Sequence, residues 1–161
     1  MSQREIKVGM GEGAVTSTPH IISSTGIGSC VVTTLYDSRK QIGGLAHIML
    51  PNSNGINGRR PPYHCADTAI AALLKRLQIK GAMRKNLVAK MVGGAQMFAC
   101  SNSSSPGIGK QNITGIRQIL DRERLPLIGE DTDGGYGRSI EFHLNSGKVI
   151  IRAVGREDRE L

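Results

Sequence analysis

The chain is poor in aromatic side chains: its 161 residues include no tryptophan, two phenylalanines and three tyrosines. It also lacks any apolar run of about 18 residues, the minimum for a membrane-spanning helix, which excludes direct insertion into a membrane. Its three cysteines show no paired spacing, and residues 1–5 contain no apolar signal region. We therefore exclude a disulfide-stabilised secreted scaffold and expect a reduced, cytoplasmic setting.

Signals for a bound cofactor are missing as well. No histidine or cysteine pair has the close spacing of a zinc site, and Asp131 and Asp133 lie among glycines, which is more typical of turns than of metal sites. Gly93 and Gly94 are not followed by the Lys-Ser/Thr of a phosphate-binding loop. We expect neither a metal nor an organic cofactor.

Glycine and small aliphatic residues are what the chain has in plenty. The 21 glycines and the 39% hydrophobic fraction favour a turn-rich α/β or α+β protein. Without an internal repeat or a convincing linker, residues 1–161 are predicted to form a single domain. The formal net charge of +8 favours an acidic partner surface. Because no aromatic residues alternate with the basic ones, we expect no nucleic-acid binding.

Hydrophobic periodicity predicts two helices, at 63–80 and near 112–124. In the first, one face carries Ala66, Ala69, Ile70, Leu73 and Leu77, and Gly81 follows as a C-cap; in the second, Ile113, Ile116 and Leu120 face inward. Short strands are predicted at 6–15, 20–24, 31–36, 41–50, 86–92, 125–128, 139–144 and 148–154. The charged residues 156–161 are expected to fray.

The most informative stretch is the glycine-rich segment 26–30, together with the predicted hairpin that follows it. A turn centred just after Ser38 places Cys30 directly opposite His47, with Cβ atoms roughly 4.5–5.5 Å apart. A slip of one residue would put the two side chains on opposite faces, so this prediction requires a loop of even length.

A cysteine beside a histidine is the arrangement of a thiol nucleophile and its base. The imidazole takes the thiol proton and later donates it to a leaving amine. Glycine at Gly28 allows a close backbone approach, so that the amides of Ser29 and Cys30 would face a developing oxyanion. The second ring nitrogen of the histidine is expected to be held by the hydroxyl of Ser24 or of Thr25.

The same pair has a plain structural interpretation. Free cysteine is often buried as a small hydrophobic residue, and His47 lies in an apolar run. Both side chains could therefore belong to the core, and the residues alone leave the catalytic and the structural interpretation equally open.

Several blocks, in this order along the chain, carry a family resemblance. They are residues 28–30, 46–51, 63–70, 93–98, 108–112 and 131–138. Together they resemble the chemoreceptor glutamine deamidase CheD family over nearly the whole chain, from about residue 6 to about residue 154. Two positions depart from the family pattern: Ser24 stands where threonine is expected, and Val92 where phenylalanine is expected.

The resemblance implies a layered α-β-β sandwich with mixed sheets, similar to the catalytic domain of cytotoxic necrotizing factor toxins. It implies hydrolysis of glutamine side-chain amides in the cytoplasmic helices of chemoreceptors, in support of chemotaxis. Residue by residue, the catalytic cysteine corresponds to Cys30, the histidine to His47 and the hydroxyl residue to Ser24, with Thr25 as a neighbouring substitute. A CheC-type phosphatase is the implied binding partner.

Two alternatives to this hydrolysis remain. The first is a non-catalytic adaptor, which binds receptors or a CheC-type phosphatase while the cysteine and histidine only pack. The second is transglutamination, in which an amine instead of water accepts the acyl group from the same thioester. Incorporation of a supplied primary amine would distinguish the second alternative from hydrolysis.

Overall fold

The computed structural model describes residues 2–56, 60–97 and 106–161, which form two β-sheets with two α-helices packed on one of them. Sheet 1 contains, in spatial order, β1 (Glu5–Lys7), β3 (Ile21–Ile27), β8 (Arg138–His143), β9 (Val149–Arg152) and β10 (Arg159–Glu160). Sheet 2 contains β2 (Gly13–Ser17), β5 (Ile42–Ile48), β4 (Val31–Asp37), β6 (Leu87–Gly93) and β7 (Leu127–Thr132). Both sheets are mixed, because β1 runs parallel to β3 and β7 runs parallel to β6.

The helices are α1 (Ala66–Lys80) and α2 (Ile108–Arg122), and short 3₁₀ turns cover Pro62–His64 and Arg84–Asn86. Helix α1 begins three residues later than predicted, because the 3₁₀ turn and the extended residue Cys65 precede it. It ends at Gly81, whose φ of 111° lies in the left-handed region that glycine tolerates. The predicted C-cap is therefore confirmed.

The molecule has three layers: helices, sheet 2 and sheet 1. The layer between the helices and sheet 2 contains the five predicted inward residues of α1 and the three predicted for α2. We call the layer between the two sheets the inter-sheet layer; it contains Val32 and Tyr36 of β4 and Ile22 of β3. Strand β4 is buried on both faces, and burial includes its three polar residues Thr33, Thr34 and Asp37. The predicted α-β-β layering is confirmed.

Some predicted features are wrong, and some lie outside the described residues. The C-terminal residues do not fray: β10 pairs with β9, and the N–H of Leu161 donates to the carbonyl of Val149 at 2.9 Å. Phe98, at the end of the block 93–98, and Cys100, one of the three cysteines, lie outside the described residues. None of the helices within 2–56, 60–97 and 106–161 is long and apolar enough to cross a membrane.

Candidate functional site

The hairpin that carries Cys30 and His47 forms with a register different from the predicted one. Strands β4 and β5 pair so that Val32 lies opposite His47, and the turn is centred one residue later than expected. Cys30, directly before β4, is therefore the diagonal and not the direct neighbour of His47. Because the register differs by two residues, the parity of the faces is kept, and His47 lies on the face that turns toward sheet 1.

His47 is held from sheet 1 by Ser24. The Ser24 Oγ atom lies 2.8 Å from His47 Nδ1, and both side chains are buried, with 2% and 0% of their surface exposed. The Ser24 hydroxyl also donates to the carbonyl of Val8 at 2.6 Å. Thr25, the alternative partner, is exposed, so it is Ser24 that contacts the imidazole.

The hydrogen bonds of Ser24 fix the tautomer of His47. A hydroxyl has one proton, and the proton of Ser24 is donated to the Val8 carbonyl. The oxygen must then accept from His47, so Nδ1 carries the imidazole proton and Nε2 carries the free electron pair. Nε2 is buried and has no hydrogen-bond partner among the described residues. The structure thus contains a neutral histidine with an unused basic nitrogen.

Burial also determines the charge states of the candidate pair. Burial lowers the pKa of His47 below its ordinary value, since the imidazolium would lose its hydration. Burial raises the pKa of the Cys30 thiol, although the residue's own backbone N–H opposes this shift. Cys30 is 7% exposed. Both shifts favour the thiol and the neutral imidazole over a thiolate–imidazolium ion pair.

The segment 28–30 is fixed through its carbonyl groups, each of which accepts a hydrogen bond. The donors are the N–H of Ala95 to Gly28 at 2.9 Å, the side-chain amide of Asn112 to Ser29 at 3.0 Å, and the N–H of Gly94 to Cys30 at 2.8 Å. In the described part of the chain, the N–H groups of Ser29 and Cys30 have no acceptor except the thiol of Cys30 itself. These two amides are available to a ligand.

Two glycines at the end of β6 allow this close approach. Gly93 and Gly94 have φ angles of 119° and 70°, which other residues rarely adopt. A Cβ atom at Gly93 would collide with the carbonyl oxygen of Cys30, and one at Gly94 would collide with Ile113 of α2. Gly93 thus packs against the cysteine segment and Gly94 against α2, contacts that the sequence of the pair does not predict.

Sequence reasoning also missed Asn112 and the carbonyl of Val8. Asn112 lies in one of the family blocks, on the buried face of α2 beside the predicted inward residue Ile113. A polar residue on a helix face that is otherwise apolar was the available signal. The Val8 carbonyl is a backbone group of the segment after β1, so no side-chain pattern could have identified it.

A second buried polar group lies elsewhere in the inter-sheet layer. Asp131 of β7 forms an ion pair with Arg138 of β8 at 3.0 Å, and its other oxygen accepts from Arg159 of β10 at 2.8 Å. The neighbouring Asp133 has a φ of 71° and lies in a turn, as predicted for both aspartates. The prediction is wrong for Asp131, which belongs to a strand. Within the described ranges, no group of three or more His, Cys, Asp or Glu is placed to hold a metal ion.

The fold and the site define a class, that of layered α+β proteins with a buried histidine beside a cysteine. A family model described as CheD chemotactic sensory transduction matches residues 49–153. The chain is 46% identical over 155 residues to a probable chemoreceptor glutamine deamidase CheD of Moorella thermoacetica, covering 95% of this chain and 93% of the relative. It is 41% identical over 160 residues to the chemoreceptor glutamine deamidase CheD of Halalkalibacterium halodurans, covering 97% and 98%. The chain belongs to the CheD family.

One solved structure is also similar in shape. It is that of the hypothetical protein YfiH of Bacillus licheniformis, with a TM-score of 0.47 and 16% identity over 76% of this chain and 51% of that chain. A likeness at this level carries no argument about function. The predicted similarity to cytotoxic necrotizing factor domains stays a prediction.

Proposed function

We propose that the protein hydrolyses the side-chain amide of glutamine residues in chemoreceptors to glutamate, in support of chemotaxis. The observation that carries this proposal is the Nε2 of His47, which has no partner among the described residues and which Ser24 holds as the basic nitrogen on the strand beside Cys30. The relatives from Moorella thermoacetica and Halalkalibacterium halodurans, whose names state this activity, support the choice of substrate.

In the first half of the reaction, the Cys30 sulfur attacks the side-chain amide carbon of a receptor glutamine. His47 Nε2 takes the thiol proton as the carbon–sulfur bond forms. The amides of Ser29 and Cys30 donate to the oxyanion of the tetrahedral intermediate. The imidazolium then protonates the amide nitrogen, the carbon–nitrogen bond breaks, and ammonia leaves a thioester on Cys30.

The second half of the reaction returns the enzyme to its resting state. His47 Nε2 takes a proton from water, whose oxygen attacks the thioester carbon. The carbon–sulfur bond breaks, and the imidazolium returns a proton to the Cys30 sulfur. The products are a glutamate side chain and ammonia, with one water consumed, so no oxidant and no cofactor is required.

Burial gives this mechanism a specific order of events. Because burial favours the neutral form of both groups, we expect the thiol to lose its proton during the attack instead of before it. Ser24 acts as a positioning residue, since it contacts Nδ1 and not the reacting atoms. Its oxygen also stabilises the imidazolium as the charge develops, through the Nδ1–H donor.

We also propose where the protein works and what it binds. A formal charge of +8 supports docking on acidic receptor helices at the cytoplasmic side of the membrane. The family resemblance supports a CheC-type phosphatase as a further partner. If charge contributes to docking, the affinity for receptor fragments decreases as salt is raised, because salt screens exposed charges beyond about 10 Å at ~0.1 M. An affinity that is independent of salt would contradict this contribution.

The direct test measures the masses of receptor peptides after incubation of cytoplasmic fragments with the purified protein. Conversion of glutamine to glutamate replaces an amide by a carboxyl group, and we expect it at specific glutamines. Cys30→Ala and His47→Ala should abolish it. Cys65→Ala is the matched control, because Cys65 is the other free, buried cysteine among the described residues and lies outside the segment 28–30.

Each other outcome of this test favours a different function. Binding of fragments without any mass change would favour the non-catalytic adaptor. Incorporation of a supplied primary amine in preference to water would favour transglutamination. Loss of activity in Cys65→Ala together with full activity in Cys30→Ala would contradict the assignment of the nucleophile.

A further inference from the structure

One buried side chain of α2 joins the two segments that carry the candidate pair. Asn112 is fully buried, and its Nδ2 atom lies 3.0 Å from the carbonyl oxygen of Ser29 and 3.0 Å from that of Met49. Ser29 precedes Cys30, and Met49 lies two residues after His47. The side chain therefore contacts the backbone on both sides of the site.

The chemistry of the amide leaves one orientation for this side chain. Both neighbours are carbonyl oxygens, which only accept, so the NH₂ group must face them and each of its hydrogens is used once. The Oδ1 atom is buried without a partner in the described part of the chain. Asn112 therefore acts through its NH₂ group, which donates to two carbonyls, and not through Oδ1.

The two Asn112 contacts lie just beyond the end of the β4–β5 pairing. The ladder between β4 and β5 ends at the pair Val31 and Ile48, and the residues beyond that pair are not joined by strand pairing. The segment 28–30 and the residues after Ile48 leave the sheet at this point. Asn112 connects them directly to each other beyond the last paired residues.

The remaining contacts of the segment 28–30 do not replace this connection. The carbonyls of Gly28 and Cys30 accept from Ala95 and Gly94, which belong to the end of β6 and not to the His47 strand. They fix the segment against β6, whereas the contacts of Asn112 join it to the continuation of β5. The Asn112 hydrogen bonds come from a side chain, so a substitution can remove them, whereas those of Ala95 and Gly94 come from the backbone.

We propose that Asn112 is a positioning residue that sets the separation and orientation of Cys30 relative to His47. This inference rests on the proposed deamidase function. An error of about 1 Å in the placement of reacting groups can lower a rate about 100-fold. Removal of both donors should therefore lower kcat, while KM for the receptor fragment changes little, because Asn112 is buried and does not contact the substrate.

The test compares Asn112→Leu, which keeps a similar volume without donors, with Ile116→Ala, a matched loss of packing on the same helix. Ile116 is fully buried in the layer between the helices and sheet 2. We expect kcat for deamidation, per folded protein, to decrease about 10- to 100-fold in Asn112→Leu. In Ile116→Ala it should stay within about twofold of the parent, because only stability is affected. Equal kcat in Asn112→Leu and the parent protein would overturn the inference.

A second measurement needs no substrate and keeps the two proposals distinguishable. The rate at which iodoacetamide alkylates Cys30 is followed against pH by peptide mass spectrometry. In the parent protein we expect a component that requires neutral His47; it should be absent in His47→Ala and in Asn112→Leu and present in Ile116→Ala. If Asn112→Leu still shows this component of the alkylation rate, Asn112 does not position Cys30 relative to His47. If the parent shows it but deamidates no receptor, the deamidase proposal fails while the positioning inference stands.

Should Asn112→Leu not fold, Asn112→Ser provides the same test. A serine hydroxyl has one donor, so it can satisfy one of the two carbonyls and not both. We expect a kcat between those of the parent protein and His47→Ala, with an intermediate alkylation component. Full kcat together with a full alkylation component in Asn112→Ser would overturn the requirement for two donors.

Discussion

The Ser24–His47 and Asp131–Arg138 contacts both join sheet 1 to sheet 2 through buried polar side chains, and they differ in what they leave unused. Ser24 of sheet 1 holds His47 of sheet 2 through a neutral hydrogen bond. Arg138 of sheet 1 holds Asp131 of sheet 2 through an ion pair. In the Ser24–His47 contact, Nε2 of the imidazole has no partner within 2–56, 60–97 and 106–161. In the ion pair both oxygens of the carboxylate are used, one by Arg138 and the other by Arg159.

The difference separates a contact suited to chemistry from one suited to stability. A neutral imidazole with a free electron pair can take up a proton and release it. Arg138 also has nitrogens without partners in the described residues, but a guanidinium does not lose its proton in proteins. It lies under the ring of Tyr136, with 4.3 Å from its Cζ atom to the ring centroid. Breaking each contact should therefore affect a different property.

The largest effect is expected on activity, when His47 is replaced. In His47→Asn the side chain still has an amide group to contact Ser24, but the strand beside Cys30 no longer carries a base of suitable pKa. We expect kcat for receptor deamidation to decrease about 10²- to 10⁴-fold, the usual contribution of a positioned acid–base group. Urea unfolding should show a free energy of unfolding lower by only about 1 kcal/mol. A kcat within tenfold of the parent value would contradict the role of the base.

Breaking the Asp131–Arg138 ion pair is expected to lower stability and to leave activity nearly unchanged. Asp131→Asn leaves the charge of Arg138 buried without its counterion, which should cost about 3–5 kcal/mol of unfolding free energy in urea. The kcat of the folded fraction should stay near the parent value. Asp133→Asn is the matched control: Asp133 is exposed with a φ of 71°, a conformation that asparagine tolerates, so stability should hardly change. Equal losses in both variants would refute a specific ion-pair contribution.

A third substitution weakens the first contact without removing the base. Ser24→Ala leaves the Nδ1–H of His47 and the carbonyl of Val8 without their buried partner. The unfolding free energy should fall by about 1–3 kcal/mol, and kcat by about tenfold, since the tautomer is no longer fixed. Ser24→Thr keeps the hydroxyl and should retain most activity. If Ser24→Ala lowers stability but leaves kcat unchanged, Ser24 is structural only.

The helices and the hairpin of the site could be predicted from the sequence, whereas the contacts between residues of different sheets could not. Apolar residues at helical spacing predicted both helices and the buried face of α1, and two apolar runs on either side of a polar turn predicted the β4–β5 hairpin. The predicted register of the β4–β5 hairpin was wrong by two residues, because the polar residues of its turn do not show where the turn is centred. A shift of two residues keeps each side chain on its predicted face, so Cys30 and His47 still lie on the same side of the sheet. The Asp131–Arg138 pair joins strands from different sheets, and local pattern cannot reveal such a pairing.

The smallest effect is expected on the pH dependence of stability, because burial lowers the pKa of His47. Burial lowers the pKa of His47 in the folded protein, while in the unfolded chain it keeps its ordinary value near 6.5. Below that value the unfolded chain binds more protons than the native state, so the free energy of unfolding decreases as pH falls from about 6.5 toward the lowered pKa. Above 6.5 this contribution is complete and does not vary with pH.

The matched variant for this measurement is His47→Asn, which has no titratable group at this position. Urea unfolding of both proteins between about pH 4 and pH 8 should give a stability difference that is constant above 6.5 and shifts in favour of the variant below it. Other groups titrate equally in the two proteins, so the difference isolates His47. A difference that shifts toward the parent protein at low pH would mean that the imidazolium is the favoured form in the folded state. The neutral base, and with it the order of proton transfer proposed for Cys30, would then be wrong.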